Sequence, residues 1–498
     1  MFHGLIQIDK SAQESLQGQI RRQIAIAIAD GKLPIDQRLP SIRALADELQ
    51  VSLNTVALAY ATLRDDGFLV SQDRSGFLVN PEARTRLREG RTVSEQPDTQ
   101  PRFDFKSHFA GRSYNLPRTM KPSDCLVRYR YPFVCGLVDP TLFPISMWRE
   151  CVRDSGSAVE LQNWAADFSS VDDKMLIDQL IKRLLAKRGI FAGPDEVLIT
   201  VGGQQALYLA LKLLMKPGQT VGVEDPGYPE MINIAAMERM RIQRLPVDQD
   251  GLVPSGRIED CQSLYITSSH QFPTTATLSM ERRQALLDNA VRTGKFIIED
   301  DYEAETSFCE RPLPAIKSMD RTGNVIYVGS LSKSLMPGLR IGFLIGDRDF
   351  ITEARALRHH VLRHPPVNNQ RTVALFLQRG YFDRFLGRLR SAYKARHEAM
   401  SAALRKHLPA ARAMSSYGSN SYWVALPDSV DAVRLLRQVE PQGVYFEPGS
   451  AMFAQPEDNR NFIRLGFSAI DESLIDAGIA IIARQLGLAN QGADEGRP

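Results

Sequence analysis

The chain has 498 residues, 43% of them hydrophobic and 24% charged, with a net charge of +3. That length suggests two or three domains, and the balance excludes a disordered, fibrous or membrane-spanning protein. The longest apolar stretches, such as 207–215, are interrupted and far shorter than a membrane span.

Residues 1–12 lack a basic start followed by an apolar run, so a secretory signal is not expected. Helical signals follow at once. Ile20, Ile24 and Ile28 repeat at i, i+4 and i+8 and predict a helix over 16–29, with Gly31 as its C-terminal cap. Ser41 opens a second helix, in which Ile42, Leu45, Ala46 and Leu49 form an apolar stripe. After a tight turn at Gln50–Val51, Ser52 caps a third helix that ends at Gly67. It turns Val56, Ala59, Tyr60 and Leu63 inward and leaves Leu53, Asn54, Thr55, Ala57 and Leu58 outside. Segments 68–70 and 76–79 predict two short strands around a polar tip at 71–75.

Two capped helices joined by a tight turn and followed by a hairpin make a winged helix-turn-helix, whose second helix enters the major groove N-terminus first. Asn54 is then placed to read a base edge, with Arg43, Ser52 and Thr55 on phosphates. Charge points the other way. Residues 1–80 carry eight Lys and Arg against nine acids, whereas a DNA-binding module normally shows a basic footprint. Composition therefore leaves DNA binding and a small helical interaction module about level.

The residue strings separate the two. Arg38-Leu-Pro-Ser-Ile-Arg-Ala-Leu-Ala46, Val51-Ser-Leu-Asn-Thr-Val56, Ala59-Tyr60, Leu63, Ser75-Gly76 and Val79 together resemble the GntR family of repressors. The resemblance spans residues 14–80 and implies binding to double-stranded operator DNA. Leu53 stands in a slot that is usually arginine, and Gln50 where a glycine usually makes the turn.

Residues 81–124 are polar and broken by Pro81, Pro97, Pro101, Pro117 and Pro122, a composition that suits a linker. Strand signals at 197–201, 220–224, 263–267, 296–300, 325–328 and 340–345 then alternate with helical segments such as 204–215 and 282–292. Such alternation predicts an α/β domain over 125–490 with a mainly parallel sheet. Its last part, about 380–490, reads as a smaller α+β subdomain. Cys125, Cys135, Cys151, Cys261 and Cys309 are scattered without C-x-x-C spacing. They predict free thiols in a reducing, cytoplasmic setting and no disulfide framework, zinc site or other metal site.

Five pieces of this domain carry chemistry. In Gly329-Ser-Leu-Ser-Lys-Ser-Leu-Met-Pro-Gly-Leu-Arg340, Lys333 lies in a Gly/Ser-rich turn after a strand. An amine so enclosed can lose its proton and condense with an aldehyde, while Ser330, Ser332 and the planar fork of Arg340 suit a phosphate. Phe296-Ile-Ile-Glu-Asp-Asp-Tyr302 brings Asp300 and Tyr302 to a strand's carboxyl end, where α/β folds place ligands. A carboxylate there can keep a pyridine nitrogen protonated, and a phenol can bind the ring's oxygen; taken alone, an acidic strand end facing water is the commoner reading. Thr200-Val-Gly-Gly-Gln-Gln-Ala-Leu207 sets Gly203 and Gln204 at a strand-to-helix turn whose N–H groups can bind phosphate. Tyr228, in Glu224-Asp-Pro-Gly-Tyr-Pro229, could stack on a flat ring or pack on the rim. Arg464, inside the apolar Asn461-Phe-Ile-Arg-Leu-Gly-Phe467, needs an anionic partner from protein or ligand.

All five in this order resemble the fold-type I aminotransferases, beginning near Pro132-Phe133 with Asp139-Pro-Thr-Leu-Phe-Pro144 and Trp148. The combination with a GntR module resembles the MocR subfamily over essentially the whole chain. The resemblance implies pyridoxal 5′-phosphate (PLP) held by Lys333 as an internal aldimine, Asp300 on the pyridine nitrogen, Tyr302 on the ring oxygen and Tyr228 stacked on the ring. Gly203, Gln204, Ser330, Ser332 and Arg340 would hold the phosphate, and Arg464 an effector's carboxylate. It also implies a homodimeric transcription regulator that senses an amino compound or PLP itself. A working aminotransferase with an accessory DNA-binding module is the alternative, and a vestigial pocket a third. Several positions depart from the aminotransferase pattern. Phe168-Ser-Ser170 replaces Tyr-Gly-Asp, Phe272 fills the slot of a ring-contacting asparagine, and Thr275 stands where glycine is usual. His270-Gln271 is typical of the regulators and is a candidate contact to cofactor or effector; Glu230 disfavours an anionic group near Tyr228.

Overall fold

Apolar periodicity near the N-terminus becomes three helices and a hairpin: α1 (Leu16–Ala29), α2 (Ile42–Leu49), α3 (Leu53–Asp65), β1 (Leu69–Gln72) and β2 (Gly76–Val79). The computed structural model describes residues 6–10, 14–35, 37–72, 76–83, 124–166, 171–309 and 313–494. The chain divides into two units, residues 1–109 and 110–498. Most of the expected linker, 84–123, the hairpin tip 73–75 and the segment Phe168-Ser-Ser170 lie outside the described residues. No helix among them is long and apolar enough to cross a membrane.

Each early helix starts where a hydroxyl satisfies a free backbone donor. The side chains of Ser15, Ser41 and Ser52 accept from the amides of Gly18, Ala44 and Thr55. Ile20, Ile24 and Ile28 of α1 meet Val56, Ala59, Tyr60 and Leu63 of α3 in one fully buried core. The Tyr60 hydroxyl donates to the carbonyl of Pro40 at 3.1 Å, tying α3 to the entrance of α2. Gln50 closes α2 with φ 54°, the left-handed conformation in which a side chain costs about 1 kcal/mol or more. The first strand begins one residue later than expected.

The larger unit is built on an eight-stranded sheet. Its strands are β4 (Val197–Thr200), β5 (Thr220–Asp225), β6 (Arg241–Asp248), β7 (Gly251–Leu252), β8 (Ser263–Ile266), β9 (Phe296–Asp300), β10 (Val325–Ser330) and β11 (Gly342–Ile345), preceded in the chain by β3 (Tyr131–Pro132). Their spatial order is β4-β11-β10-β9-β8-β5-β6-β7. Neighbours from β10 across to β6 run parallel, and β11 alone of the long strands is reversed against both its partners. Strand β6 escapes sequence reading because it lies next to the edge: of its residues only Leu245 is buried, and Pro246 is tolerated there. Strand β11 starts at Gly342, so Arg340 sits in the preceding turn with φ 53° and not in the strand.

Helices cover both faces. On one, α4 (Gly202–Leu214) packs Ala206, Leu207, Ala210 and Leu211 against Leu198, Ile298, Val328 and Leu344. On the other, α5 (Met280–Thr293) sets Leu286, Leu287 and Ala290 against Leu264, Ile266, Ile297 and Val325. Ile297 and Ile298 thus serve opposite layers, as the two-residue period of a strand requires. The C-terminal part follows the expected order: α6 (Tyr381–His407), an antiparallel sheet, then α7 (Ile475–Asp494). That sheet runs β12 (Arg412–Met414), β13 (Ser421–Ala425), β16 (Phe462–Gly466), β15 (Glu447–Pro448), while β14 (Val444–Tyr445) pairs with β3.

Candidate functional site

Parallel strands deliver their carboxyl ends to one edge of the sheet, and there a cavity of about 150 Å³ opens. Gly203, Gln204, Tyr228, Asp300, Tyr302, Ser330, Ser332, Lys333, Arg340 and Arg464 all line it. The ten residues come from five separate stretches of chain.

Asp300 ends β9 and is buried, with the Tyr265 hydroxyl donating to its Oδ2 at 2.8 Å. Loss of hydration pushes its carboxyl up to about 7, with Asp301 adding to the rise and Lys333 opposing it. Tyr302 lies beyond the end of the strand, yet reaches the same cavity. Its hydroxyl is buried without a hydrogen-bond partner, and so is that of Ser332. An unpaired buried hydroxyl is destabilising unless a ligand meets it.

Two glycines clear the space around the cations. A Cβ on Gly136 would sit 2.2 Å from Lys333 Nζ, and one on Gly202 would sit 2.8 Å from the Arg340 guanidinium. Arg340 donates to the carbonyl of Val201 at 3.0 Å and stays solvent-exposed at the rim, as does Gln204. Of the residues expected to hold a phosphate, Gln204 and Arg340 thus lie exposed at the cavity's mouth and Ser330 and Ser332 are buried, as is the carboxyl expected to meet a ring nitrogen. A deep acid, unpaired hydroxyls and an open anion-binding rim fit a flat, phosphorylated pyridine.

Arg464 is buried with a protein partner: Glu447 lies across the strand pair, 3.6 Å away. Its guanidinium rests 4.4 Å from the ring centroid of Phe272, and its Nε has no hydrogen-bond partner. Phe272 meets Tyr228 edge-on at 5.1 Å and Tyr302 at 6.3 Å, so an apolar ring replaces a polar amide in this wall.

His270 and Gln271 do not line this cavity. Gln271 is spent on protein carbonyls, donating to that of Phe272 in its own loop and that of Pro226 in another, while His270 faces a second, smaller hollow beside Arg188 and Arg283. Glu230 is also absent from the lining and hydrogen-bonds Asn233 at 3.3 Å. Thr275 adopts φ 66°, a strained setting for a β-branched residue that explains why glycine is usual there. Sequence reasoning missed Tyr265 and Gly136. Tyr265 looks like one more apolar strand residue, and only the pairing of β8 with β9 brings it to Asp300.

In the smaller unit, Arg43, Ser52 and Asn54 are exposed and Thr55 half-exposed on the outer side of α2 and α3. The hydroxyls of Ser52 and Thr55 lie 2.7 Å apart and engage each other.

Comparison with known proteins agrees with both halves. The family model for bacterial regulatory proteins of the gntR family matches residues 16–79, and that for class I and II aminotransferases matches 152–482. The chain is 39% identical to the HTH-type transcriptional regulator TauR of Rhodobacter capsulatus over 95% of its own length and 97% of that protein. The chain belongs to the MocR subfamily of GntR-type transcription regulators. Identity to the probable rhizopine catabolism regulatory protein MocR of Rhizobium meliloti is 29%, covering 98% and 97% of the two chains. Among solved structures, the kynurenine aminotransferase of Pyrococcus horikoshii superposes with a TM-score of 0.70 at 26% identity, over 78% of this chain and 98% of that one. LysN, an α-aminoadipate aminotransferase of Thermus thermophilus complexed with N-(5′-phosphopyridoxyl)-L-leucine, gives 0.69 at 28%, over 78% and 99%. This regulator therefore carries a fold-type I aminotransferase domain, a fold that binds PLP in its structural relatives.

Proposed function

We propose that this regulator holds PLP on Lys333 and senses an amino compound, or PLP itself, at that site. One observation carries the reading: the amine of Lys333, the carboxyl of Asp300, the phenols of Tyr228 and Tyr302 and the guanidinium of Arg464 converge on a single cavity. When bound, the cofactor supplies an aldehyde for amines and an electron-withdrawing ring. Asp300 holds a proton at the ring nitrogen, the Tyr302 hydroxyl donates to the ring oxygen and Tyr228 stacks on the ring face. Gly203, Gln204, Ser330, Ser332 and Arg340 take the phosphate. Arg464 exchanges part of its pairing with Glu447 for the effector's carboxylate.

Occupancy of this pocket in the segment 125–490 shifts a homodimer between conformations of different operator affinity. The linker 81–124 joins it to the winged helix at 1–80. There Asn54 reads a base edge, and Arg43, Ser52 and Thr55 contact phosphates of double-stranded DNA. Work on operator DNA and five cysteines outside any disulfide are both in keeping with a cytoplasmic protein.

The test uses the intact chain. Its visible cofactor absorbance should vanish in Lys333→Ala, and a screen of amines and amino acids should find compounds that alter both that absorbance and operator binding. Amines that change the spectrum with no change in DNA binding would refute sensing. Sustained turnover of amino and keto acids would favour the aminotransferase reading instead.

A further inference from the structure

Beyond its capping hydroxyls, the outer face of α3 is apolar around Asn54. Leu53 and Leu58 are 54% and 52% exposed, and the half-buried Ala57 and Ala61 follow Leu53 at four-residue intervals. Within this patch Asn54 supplies the one polar side chain. No lysine or arginine occurs between Arg43 and Arg64. Of the neighbouring hydroxyls, Ser52 Oγ accepts from the Thr55 amide at 3.1 Å at the helix start, and Thr62 Oγ1 donates to the Leu58 carbonyl at 2.9 Å. Among the described residues of the smaller unit, Leu53 and Leu58 are the most exposed large hydrophobic side chains. Leu53 opens the helix, the end that penetrates deepest into a major groove.

Resting on the DNA-binding reading above, we infer that Leu53 is a specificity-determining residue that packs against the 5-methyl group of a thymine in each operator half-site. An arginine in this slot would bind guanine through O6 and N7; a leucine offers no donor and leaves a G·C pair unread. Thymine alone among the bases presents a methyl group in the major groove, and apolar contact is how that group is recognised. Asn54, next along the same face, has the amide that pairs with adenine N6 and N7. The two side chains together select A·T pairs at adjacent steps. Continuity with Asn54 on the helix that the gntR family model covers makes the groove, and not a second protein, the occupant of this patch.

The experiment begins with selection of duplexes from a random pool by the full-length protein. Each selected thymine is then replaced singly by deoxyuridine, which keeps every hydrogen-bonding edge and removes only the methyl group. At one position per half-site this should weaken binding about fourfold, the worth of one buried carbon. Leu53→Ala should bind the thymine and uracil duplexes equally, and Leu53→Arg should draw guanine to that position. Leu53 is exposed, so neither variant disturbs the core. Equal uracil effects in wild type and Leu53→Ala, or a G·C consensus opposite the helix tip, would overturn the inference while leaving DNA binding intact. A change of oligomeric state in Leu53→Ala with unaltered base preference would assign the patch to a protein contact and overturn it too. Absence of any sequence enrichment would overturn the DNA-binding reading and this inference with it.

Discussion

Tyr265→Phe removes one oxygen atom and tests how the floor of the cavity works. That hydroxyl donates to Asp300 Oδ2 at 2.8 Å, inside a site where burial has already pushed the carboxyl up to about 7. The hydrogen bond favours the ionised form, so deleting it raises the carboxyl further. A bond to a charged group is worth about 1.5–3 kcal/mol, which moves the titration up by about one to two pH units. At pH 7 the ionised fraction of Asp300 then falls from about a half to about a tenth or below. Because the ionised form is the one that holds a protonated pyridine, PLP affinity should fall about five- to fiftyfold at neutral pH. By about pH 9 the wild-type group is ionised and the variant at least about half so, leaving a deficit of at most about twofold. Removing the cofactor and titrating it back against visible absorbance between about pH 6 and 9 measures this directly. A deficit that is flat or grows with pH, or no deficit at all, would refute the coupling.

Other outcomes follow from the same geometry. Arg464→Lys keeps a cation beside Glu447 but loses the planar fork against Phe272; it should leave the cofactor spectrum intact and weaken the effector's response about tenfold or more, read as the midpoint of the spectral titration. Gln50→Gly relieves the left-handed strain at φ 54° and should stabilise the α2–α3 turn by about 1 kcal/mol, seen as slower amide exchange there in the full-length protein. Burial holds Glu224 up at about 7, so the folded protein keeps a proton that the unfolded chain has released. Its contribution to stability is present below the unfolded pKa and declines as pH rises towards 7. Glu224→Gln should therefore gain on the wild type by about 1.4 kcal/mol per pH unit between about pH 5 and 7, measured by denaturant unfolding of the cofactor-free protein. A constant difference across that range would show that Glu224 does not titrate there.

Much of the site was legible because its chemistry is local. Lys333 needs a Gly/Ser turn after a strand, Asp300 needs a strand end and Gly203 a helix start, and each requirement leaves its mark within a dozen residues. The winged helix was legible for the same reason: Ser41 and Ser52 cap helices whose apolar stripes are unambiguous, and the observed boundaries agree to within a residue or two. Elsewhere the deciding contact was distant in sequence. Gln271 was one candidate for a ligand contact, and its amide donates to carbonyls of its own and a neighbouring loop. Arg340 read as a strand residue, but the close approach of Gly202 and the Val201 carbonyl fix it in a left-handed turn at the rim.

Period, caps and turn residues thus determined by themselves which segments are helix or strand and which side chains could carry chemistry, since those signals act over one or two turns of chain. Only the tertiary structure decided that Tyr265 would reach Asp300, that Glu447 and Phe272 would take up Arg464, and that Gly136 would leave room for the Lys333 amine. The pairings of Tyr265 with Asp300 and of Glu447 with Arg464 rest on strand order and register, those made by Phe272 and Gly136 on loops brought together from distant parts of the chain, and a contact between such segments leaves no periodic trace in either of them.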